Sequence, residues 1–385
     1  MQELFVDTPE QLNALCEQLR GSPWLALDTE FVREKTYHPN FCLLQVANGE
    51  VAACVDPLVL DDITPLLDII FDSGITKVFH AARQDLEIFQ HLWQRLPVPL
   101  FDTQLAATLL GMGDQVGYGN LVKKTLGLEL EKGHARTDWA RRPLQETQLR
   151  YALDDVIYLG EVYEQLLQRL LELGRESWLD EDFATLSNPD TYRPDPMSEW
   201  QRIKGRQHLK GGQLAVLQQL AAWREKQALE ANRPKRWILK DEVLVDLARR
   251  QPKALDQMER IRGLEPGSTK RHGKHLLQLI EKGKGLPRDE WPKEKSTPPR
   301  LTPNQEAQTD LLVCTLRLQA EQNRITHSAL ANRRELEKLV TGERDLDILH
   351  GWRKMLAGDA LLEVLEGKTL PRYIDGKLTL ASTRE

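Results

Sequence analysis

The chain has 385 residues, of which 41% are hydrophobic and 29% are charged, and it carries a net charge of −6. This composition is ordinary for a globular protein, and the length leaves room for two or three domains. The apolar runs are too short to span a bilayer, and no secretory leader is visible. The four cysteines lack zinc spacing. We therefore expect a cytoplasmic protein without disulfide bonds or membrane segments.

Strand and helix signals alternate through the first half of the chain. A helix begins at Thr8-Pro9, where a capping residue precedes a proline at the first helical position. Asn48-Gly49 is a strong hairpin turn between two β-rich segments. In chain order we predict strands at 3–6, 24–31, 43–47, 51–55 and 77–80, and helices at 8–19, 62–71, 81–93, 103–110, 119–126 and 144–173. This alternation predicts an α/β domain with a mixed sheet and flanking helices.

The second half of the chain is helical in pattern and is interrupted by proline-rich segments. Its two helical parts resemble each other, with Gly263 and Gly351 at corresponding positions, which indicates a duplicated small all-α domain. The predicted organisation is an α/β domain at 1–190, a connecting arm at 191–209, a first helical domain at 210–290, a linker at 291–303 and a second helical domain at 304–385.

Charge is unevenly distributed between these parts. Residues 1–190 carry a net charge of −16, whereas residues 210–290 carry +7. An acidic front can hold cations, and a basic middle can hold a polyanion. Because a basic stretch is more often only a solvated surface, the charge alone supports nucleic-acid binding weakly.

Two acids follow a buried strand near the start of the chain. Asp28 and Glu30 are two positions apart, so on a strand both side chains point to the same face. Paired carboxylates are hard oxygen ligands, and they suggest a Mg²⁺ or Mn²⁺ site. The alternative for this pair alone is a strand end whose acids face solvent.

Two further acids complete a possible set. Asp85 lies in a predicted helix, and Asp155 follows Tyr151 by four positions, so on a helix Tyr151 and Asp155 share one face. A phenol beside a carboxylate can hold a water molecule in place. Taken singly, Asp85 could be a solvated helix acid and Tyr151 a core aromatic, and we expect Asp154 to point away from the shared face.

These motifs resemble the DEDD exonuclease superfamily, tyrosine subgroup, and within it the ribonuclease D family. The resemblance extends to Asp102-Thr103-Gln104 and to Arg136-Thr137-Asp138-Trp139, and the duplicated tail resembles two HRDC domains. It implies a ribonuclease H-like mixed sheet followed by two all-α HRDC bundles.

The resemblance also implies a reaction. We expect a 3′→5′ exoribonuclease that uses two divalent metal ions, Mg or Mn, and releases nucleoside 5′-monophosphates. Asp28 would bridge both ions, Glu30 and Asp155 would hold the ion that carries the nucleophile, Asp85 would support the other, and Tyr151 would position the attacking water. The expected substrates are transfer RNA precursors and other small structured RNAs, and the expected state is a monomer.

Residues that grip the substrate are expected in two places. By resemblance, Phe31 and the Thr29 backbone contact the terminal nucleotide. Basic groups with an interleaved aromatic residue can neutralise phosphates and stack a base. For the loop before Tyr151, the alternative is a solvated segment whose Trp139 packs into the fold. For the helical tail, the alternative is that the two domains only pack against the rest of the chain as spacers. The loop candidates are Lys132, Arg136, Trp139 and Arg141, with Arg142 in a structural role, and the tail candidates are Lys235, Arg236, Lys240, Lys270, Arg271 and Lys274.

Two other functions compete with this interpretation. A DNA 3′→5′ exonuclease of the repair type would use the same acids, although no polymerase or helicase domain accompanies them. An inactive nucleic-acid-binding protein would have lost part of the set, whereas all four acids and Tyr151 are present.

Overall fold

The predicted alternation produces a six-stranded mixed sheet in the computed structural model, which describes residues 1–131, 133, 137–293 and 300–383. Its strands are β1 (Gln2–Val6), β2 (Trp24–Val32), β3 (Asn40–Ala47), β4 (Val51–Val55), β5 (Thr76–Phe79) and β6 (Leu100–Asp102). They lie in the order β1-β4-β3-β2-β5-β6. β3 runs antiparallel to β4, whereas β1 is parallel to β4, and β5 is parallel to both β2 and β6. The predicted α/β class is confirmed.

In the part of the chain that the structure describes, seven α-helices accompany this sheet. They are α1 (Pro9–Leu19), α2 (Thr64–Ile70), α3 (Arg83–Trp93), α4 (Thr103–Leu109), α5 (Tyr118–Leu126), α6 (Glu146–Glu172) and α7 (Asp180–Leu186). α1 begins as its sequence predicts, because Thr8 and Gln11 form a reciprocal capping box and a proline stands at the first position. Among the described residues, none of the helices has both the length and the apolar character required to cross a bilayer.

The chain divides into two compact units that do not follow its order. The first unit contains Met1–Glu30, Phe41–Thr191 and Pro299–Glu385, and the second contains Phe31–Asn40 and Tyr192–Pro298. The second unit is therefore inserted into the first along the sequence.

The second unit is a helical bundle, which we call the first helical bundle because it comes first along the chain. Its helices are α8 (Gly212–Glu230), α9 (Lys235–Ile238), α10 (Asp241–Arg250), α11 (Leu255–Met258) and α12 (Pro266–Gly285). The segment that we expected to be a connecting arm contributes Trp200, Ile203 and Leu209 to the core of this bundle. Lys235 is also part of the packing, since its ammonium group pairs with Glu199 at 2.5 Å and with Glu225 at 2.7 Å.

The last part of the chain forms a second bundle inside the first unit. Its elements are α13 (Pro303–Gln322), α14 (His327–Leu330), α15 (Arg333–Val340), α16 (Gly351–Arg353), α17 (Asp359–Leu365), β7 (Thr369–Ile374) and β8 (Lys377–Ser382). A long helix, a four-residue helix and a medium helix open both bundles in the same order, which supports the hypothesis of duplication. The sequence analysis missed the β7–β8 hairpin, whose strands are mostly exposed.

The second bundle packs directly on the exonuclease-like part of the first unit. The buried Arg175 guanidinium donates to the carbonyl oxygens of Leu109 at 2.9 Å and Asn323 at 2.5 Å. The indoles of Trp178 and Trp352 stack in parallel with their centroids 4.5 Å apart. Of the two roles that the sequence left open for this copy, these contacts favour packing.

The contact between Trp24 and the long helix α6 shows which face of β2 this helix covers. The Trp24 ring lies against α6 at Gly160, and its Nε1 donates to Glu164 at 3.1 Å. A Cβ atom at Gly160 would stand 2.1 Å from this indole. Since side chains alternate along a strand, Asp28 and Glu30 face α6 as Trp24 does.

We expect Gly160→Ala to lower the free energy of unfolding by about 1–3 kcal/mol, because the new methyl group forces the Trp24 ring out of its site. Urea denaturation followed by tryptophan fluorescence measures this loss. Gly119→Ala is the control: Gly119 is also helical but has open space around it, so stability should stay the same or rise slightly. Equal effects of the two substitutions would contradict the close contact.

Candidate active site

Three carboxylates meet where β2 passes beneath α6. Asp28 and Glu30 come from β2, and Asp155 comes from α6. One oxygen from each carboxylate lies within 4.8 Å of the other two. The acids that strand alternation and helical spacing predicted therefore lie together in one cluster. This cluster is able to hold a divalent cation.

The fourth acid reaches the cluster from the start of α3. Asp85 is only 7% exposed and lies in the first turn of that helix, where the helix dipole favours a negative charge. Burial raises its pKa, and the charge of Asp28 raises it further. Its Oδ1 accepts a hydrogen bond of 2.5 Å from the Thr29 hydroxyl.

Thr29 and Asp102 position Asp85, and the sequence analysis assigned neither of them this task. Thr29 is 5% exposed, so its side chain supports the site from within rather than facing a nucleotide. The carboxylate of Asp102 accepts hydrogen bonds from the Ala81 and Ala82 N–H groups at 3.1 and 2.9 Å and also from the first turn of α4. It thereby ties together the starts of two helices, one of which carries Asp85.

The crowding of acids makes the cluster electrostatically demanding. Burial raises the pKa of Glu30 to about 10, with further contributions from Asp28, Asp155 and Asp85. Burial, Asp154 and Asp85 raise the pKa of Asp155 to about 7. The pKa of Asp28 is likewise raised by burial and by Asp155. Divalent cations would remove this repulsion, so the donor set fits hard metal ions.

Two tyrosines border the cluster. Burial and the charges of Asp155, Glu30 and Asp28 raise the pKa of Tyr151, so its hydroxyl remains protonated and can orient water but is a poor base. Tyr118, which the sequence analysis overlooked, donates to the Asp154 carbonyl oxygen at 2.9 Å. Burial, followed by Asp155 and Asp28, raises its pKa too. The only sequence signal for it was its place at the start of a helix between two glycines.

Asp154 points away from the cluster, as expected. Its carboxylate pairs with Arg150, which also donates to Glu3 on β1 at 2.8 and 2.9 Å. Arg142 has the structural role suggested for it, because its guanidinium donates twice to Asp56, at 2.5 and 2.8 Å, and to the Cys42 carbonyl oxygen at 2.8 Å.

The expected loop contacts with substrate have mixed outcomes. Trp139 is 3% exposed and packs beside Tyr151 with ring centroids 6.2 Å apart, which corrects the idea that it stacks a base, because its faces are covered by protein. Arg141 is exposed, and Phe31 is half-buried on β2. Lys132 and Arg136 lie outside the described residues.

Of the tail residues expected to contact RNA, one is used in packing and the others are exposed. Lys235 is committed to the two carboxylates of its own bundle, so we correct its assignment to a packing role. Arg236 is exposed and approaches Glu242 at 3.4 Å, and Lys240 is exposed nearby. Lys270, Arg271 and Lys274 are exposed on α12. Trp237, which the sequence analysis did not consider, is 60% exposed between Arg236 and Lys240.

We expect the stability of the cation-free protein to fall as pH rises from about 4 toward 10. Glu30 and Asp155 have pKa values of about 10 and 7, above those of the unfolded chain, so the folded state binds more protons in this range. The thermal midpoint measured in EDTA from pH 5 to 9 reports the slope, and saturating Mg²⁺ should flatten it. Glu30→Gln should reduce the slope in EDTA, and an unchanged slope in that variant would contradict the raised pKa.

Comparisons with known proteins agree with this geometry. A family model described as 3'-5' exonuclease matches residues 4–171, and the HRDC domain model matches residues 213–280. Ribonuclease D of Gluconacetobacter diazotrophicus is 40% identical over 95% of this chain and 94% of its own. Ribonuclease D of Sphingobium indicum is 38% identical over 99% of both chains.

A solved structure shows the same likeness along nearly the whole chain. The crystal structure of Escherichia coli RNase D, described as an exoribonuclease involved in structured RNA processing, matches with a TM-score of 0.77 and 32% identity. The match covers 95% of this chain and 99% of that one. The resemblance that the four acids and the tyrosine suggested is thereby confirmed, and the chain belongs to the ribonuclease D family of 3′→5′ exoribonucleases.

Proposed function

We propose that this chain shortens transfer RNA precursors and other small structured RNAs from their 3′ ends with the aid of two divalent metal ions. The observation that carries the proposal is the meeting of Asp28, Glu30 and Asp155 within 4.8 Å, with Asp85 beside Asp28. One buried and three partly buried carboxylates are unfavourable together unless cations share the site. The related E. coli enzyme is described as acting on structured RNA, which supports the choice of substrate.

The side chains have separate tasks in this reaction. Asp28, Glu30, Asp155 and Asp85 would hold the cations, which lower the pKa of water and stabilise the charge on the attacking and leaving oxygens. Tyr151 orients the attacking water by a hydrogen bond and keeps its own proton. Water adds to the terminal phosphorus, the bond to the preceding O3′ breaks, and a nucleoside 5′-monophosphate leaves an RNA that ends in a new 3′ hydroxyl.

The first helical bundle offers a surface for the body of the RNA. Its exposed cations Arg236, Lys240, Lys270, Arg271 and Lys274 suit a phosphate backbone, and such contacts carry no sequence preference. The exposed indole of Trp237 among these cations adds a face on which a base can stack. We propose that this bundle recruits RNA, while the second bundle packs.

The proposed setting is the cytoplasm, and the proposed state is a monomer. All four cysteines, which lie within the described residues, are free thiols, as is usual in a reducing compartment.

We expect Asp28→Asn to reduce RNA hydrolysis by about a thousandfold or more, because it removes the carboxylate at the centre of the cluster. The assay follows a labelled single-stranded RNA with a free 3′ hydroxyl, and RNA affinity should change little. Asp154→Asn, beside Asp155 but turned toward Arg150, should retain activity within about threefold. Full activity of Asp28→Asn would refute the cation assignment.

The same assay tests the substrate. The wild-type protein should digest RNA faster than DNA of the same sequence, and a blocked 3′ end or EDTA should stop digestion. Faster digestion of DNA would favour the repair-type exonuclease.

We expect Trp237→Ala to raise KM for a structured RNA by about 5- to 150-fold, because stacking contributes about 1–3 kcal/mol per base, while kcat changes little. Steady-state kinetics on a transfer RNA precursor separates the two constants. The matched control is Tyr373→Ala, since Tyr373 is even more exposed but lies on the β7–β8 hairpin. An unchanged KM for Trp237→Ala would remove this residue from the RNA surface.

A further inference from the structure

Gln45 is a buried polar residue for which the reaction described above has no task. It lies in β3 with no exposed surface, and neither its amide nitrogen nor its amide oxygen has a hydrogen-bond partner in the part of the chain that the structure describes. Leaving such a group unsatisfied costs about 1–3 kcal/mol. A partner from outside the polypeptide would remove that cost, and this partner is either an isolated buried water or the filled cation centre.

The strand register places Gln45 on the face of the sheet that α6 covers. The hydrogen bonds from Arg150 on α6 put Glu3 on that face, and Glu3 is paired with Ala52 on β4. Cys54, two residues further along β4, has the same orientation. Gln45 is the cross-strand partner of Cys54, and directly opposed residues of antiparallel strands point the same way.

This position lies between Cys54 and the catalytic acids. β3 is flanked by β4 on one side and by β2 on the other, and Asp28 and Glu30 face α6 from β2. Neighbouring strands are about 4.8 Å apart, a distance that a glutamine side chain can bridge. Burial raises the pKa of Cys54, and the charges of Glu30, Asp28 and Asp155 add to it, so the field of the cluster extends across the strand that carries Gln45.

We propose that Gln45 is a positioning residue of the cation centre, whose carboxamide forms hydrogen bonds only when the site is filled. The amide N–H donates to, and the amide oxygen accepts from, water that accompanies the cations and that also contacts the carboxylates of β2. The inference rests on the proposed cation site. It adds a residue that supports the carboxylates proposed to hold the cations. Groups that hold metal ligands in this way contribute about 10- to 100-fold to metal affinity.

The test measures binding of Mn²⁺ alone, by titration calorimetry, to the full-length protein and two variants. Gln45→Met keeps the volume of the side chain and removes both polar atoms. We expect Mn²⁺ to bind at least about tenfold more weakly, while the thermal midpoint in EDTA does not fall, because no satisfied hydrogen bond is lost. Gln90→Met is the matched control: Gln90 is also buried with an unpartnered amide oxygen, but it lies on α3, and Mn²⁺ affinity should equal that of the wild type.

The outcomes are distinguishable. Wild-type Mn²⁺ affinity in Gln45→Met together with a lower thermal midpoint would show that Gln45 only binds a structural water, and the inference would fail alone. If the wild-type protein does not bind Mn²⁺, the cation site fails and takes the inference with it.

A second measurement does not depend on the folding of a variant. In crystals of the wild-type protein grown with Mn²⁺, the Gln45 amide should lie within 3.2 Å, the usual limit for such a bond, of a water bound to the cations. In crystals grown with EDTA this contact should be missing. An amide that contacts the same isolated water in both crystals would overturn the proposal.

Discussion

Mutual repulsion among four clustered carboxylates, one buried and three partly buried, is the constraint on which this structure depends. Asp28, Glu30, Asp85 and Asp155 all have raised pKa values, and in each case burial is the largest cause. A fold that only needed stability would not place these groups together. The protein keeps them close through rigid elements: a central strand, the first turn of one helix and the middle of another. Function is thus built on an arrangement that cations complete.

The surrounding packing serves to hold that arrangement. Gly160 lets α6 approach β2 closely enough for the Trp24 ring to fit between them, and this contact sets which face of β2 meets Asp155. Asp102 holds the start of α3, and Thr29 holds the carboxylate of Asp85. Each of these residues acts on the geometry of an acid in the cluster, the kind of support that ligands of a metal centre require.

The sequence predicted the parts of the site that depend on local periodicity. The alternation of Asp28 and Glu30 on a strand and the four-residue spacing of Tyr151 and Asp155 on a helix are properties of single elements, and both residue pairs lie where these rules place them. The mixed sheet followed from the order of strands and helices. These features can be read without knowledge of which elements become neighbours.

The remaining features depend on contacts between distant segments, which periodicity does not encode. Nothing local indicates that the Thr29 hydroxyl will meet Asp85, or that Tyr118 will reach the backbone of α6. Trp139 is flanked by basic residues, and the sequence left open whether its indole stacks a base or packs into the fold; the structure buries it. Lys235 belonged to a basic run in the sequence, but its charge is matched by Glu199, a residue 36 positions away.

The discontinuous first unit has a consequence for how the chain is made. Arg175 and Trp178 are synthesised well before Asn323 and Trp352, their partners in the second bundle, and an entire helical unit is translated between them. As the nascent polypeptide leaves the ribosome, the inserted bundle can fold while the earlier segment still waits for its last partner. Completion of the first unit therefore follows synthesis of the inserted helical unit, and Arg175 can meet Asn323 only after that unit has been made.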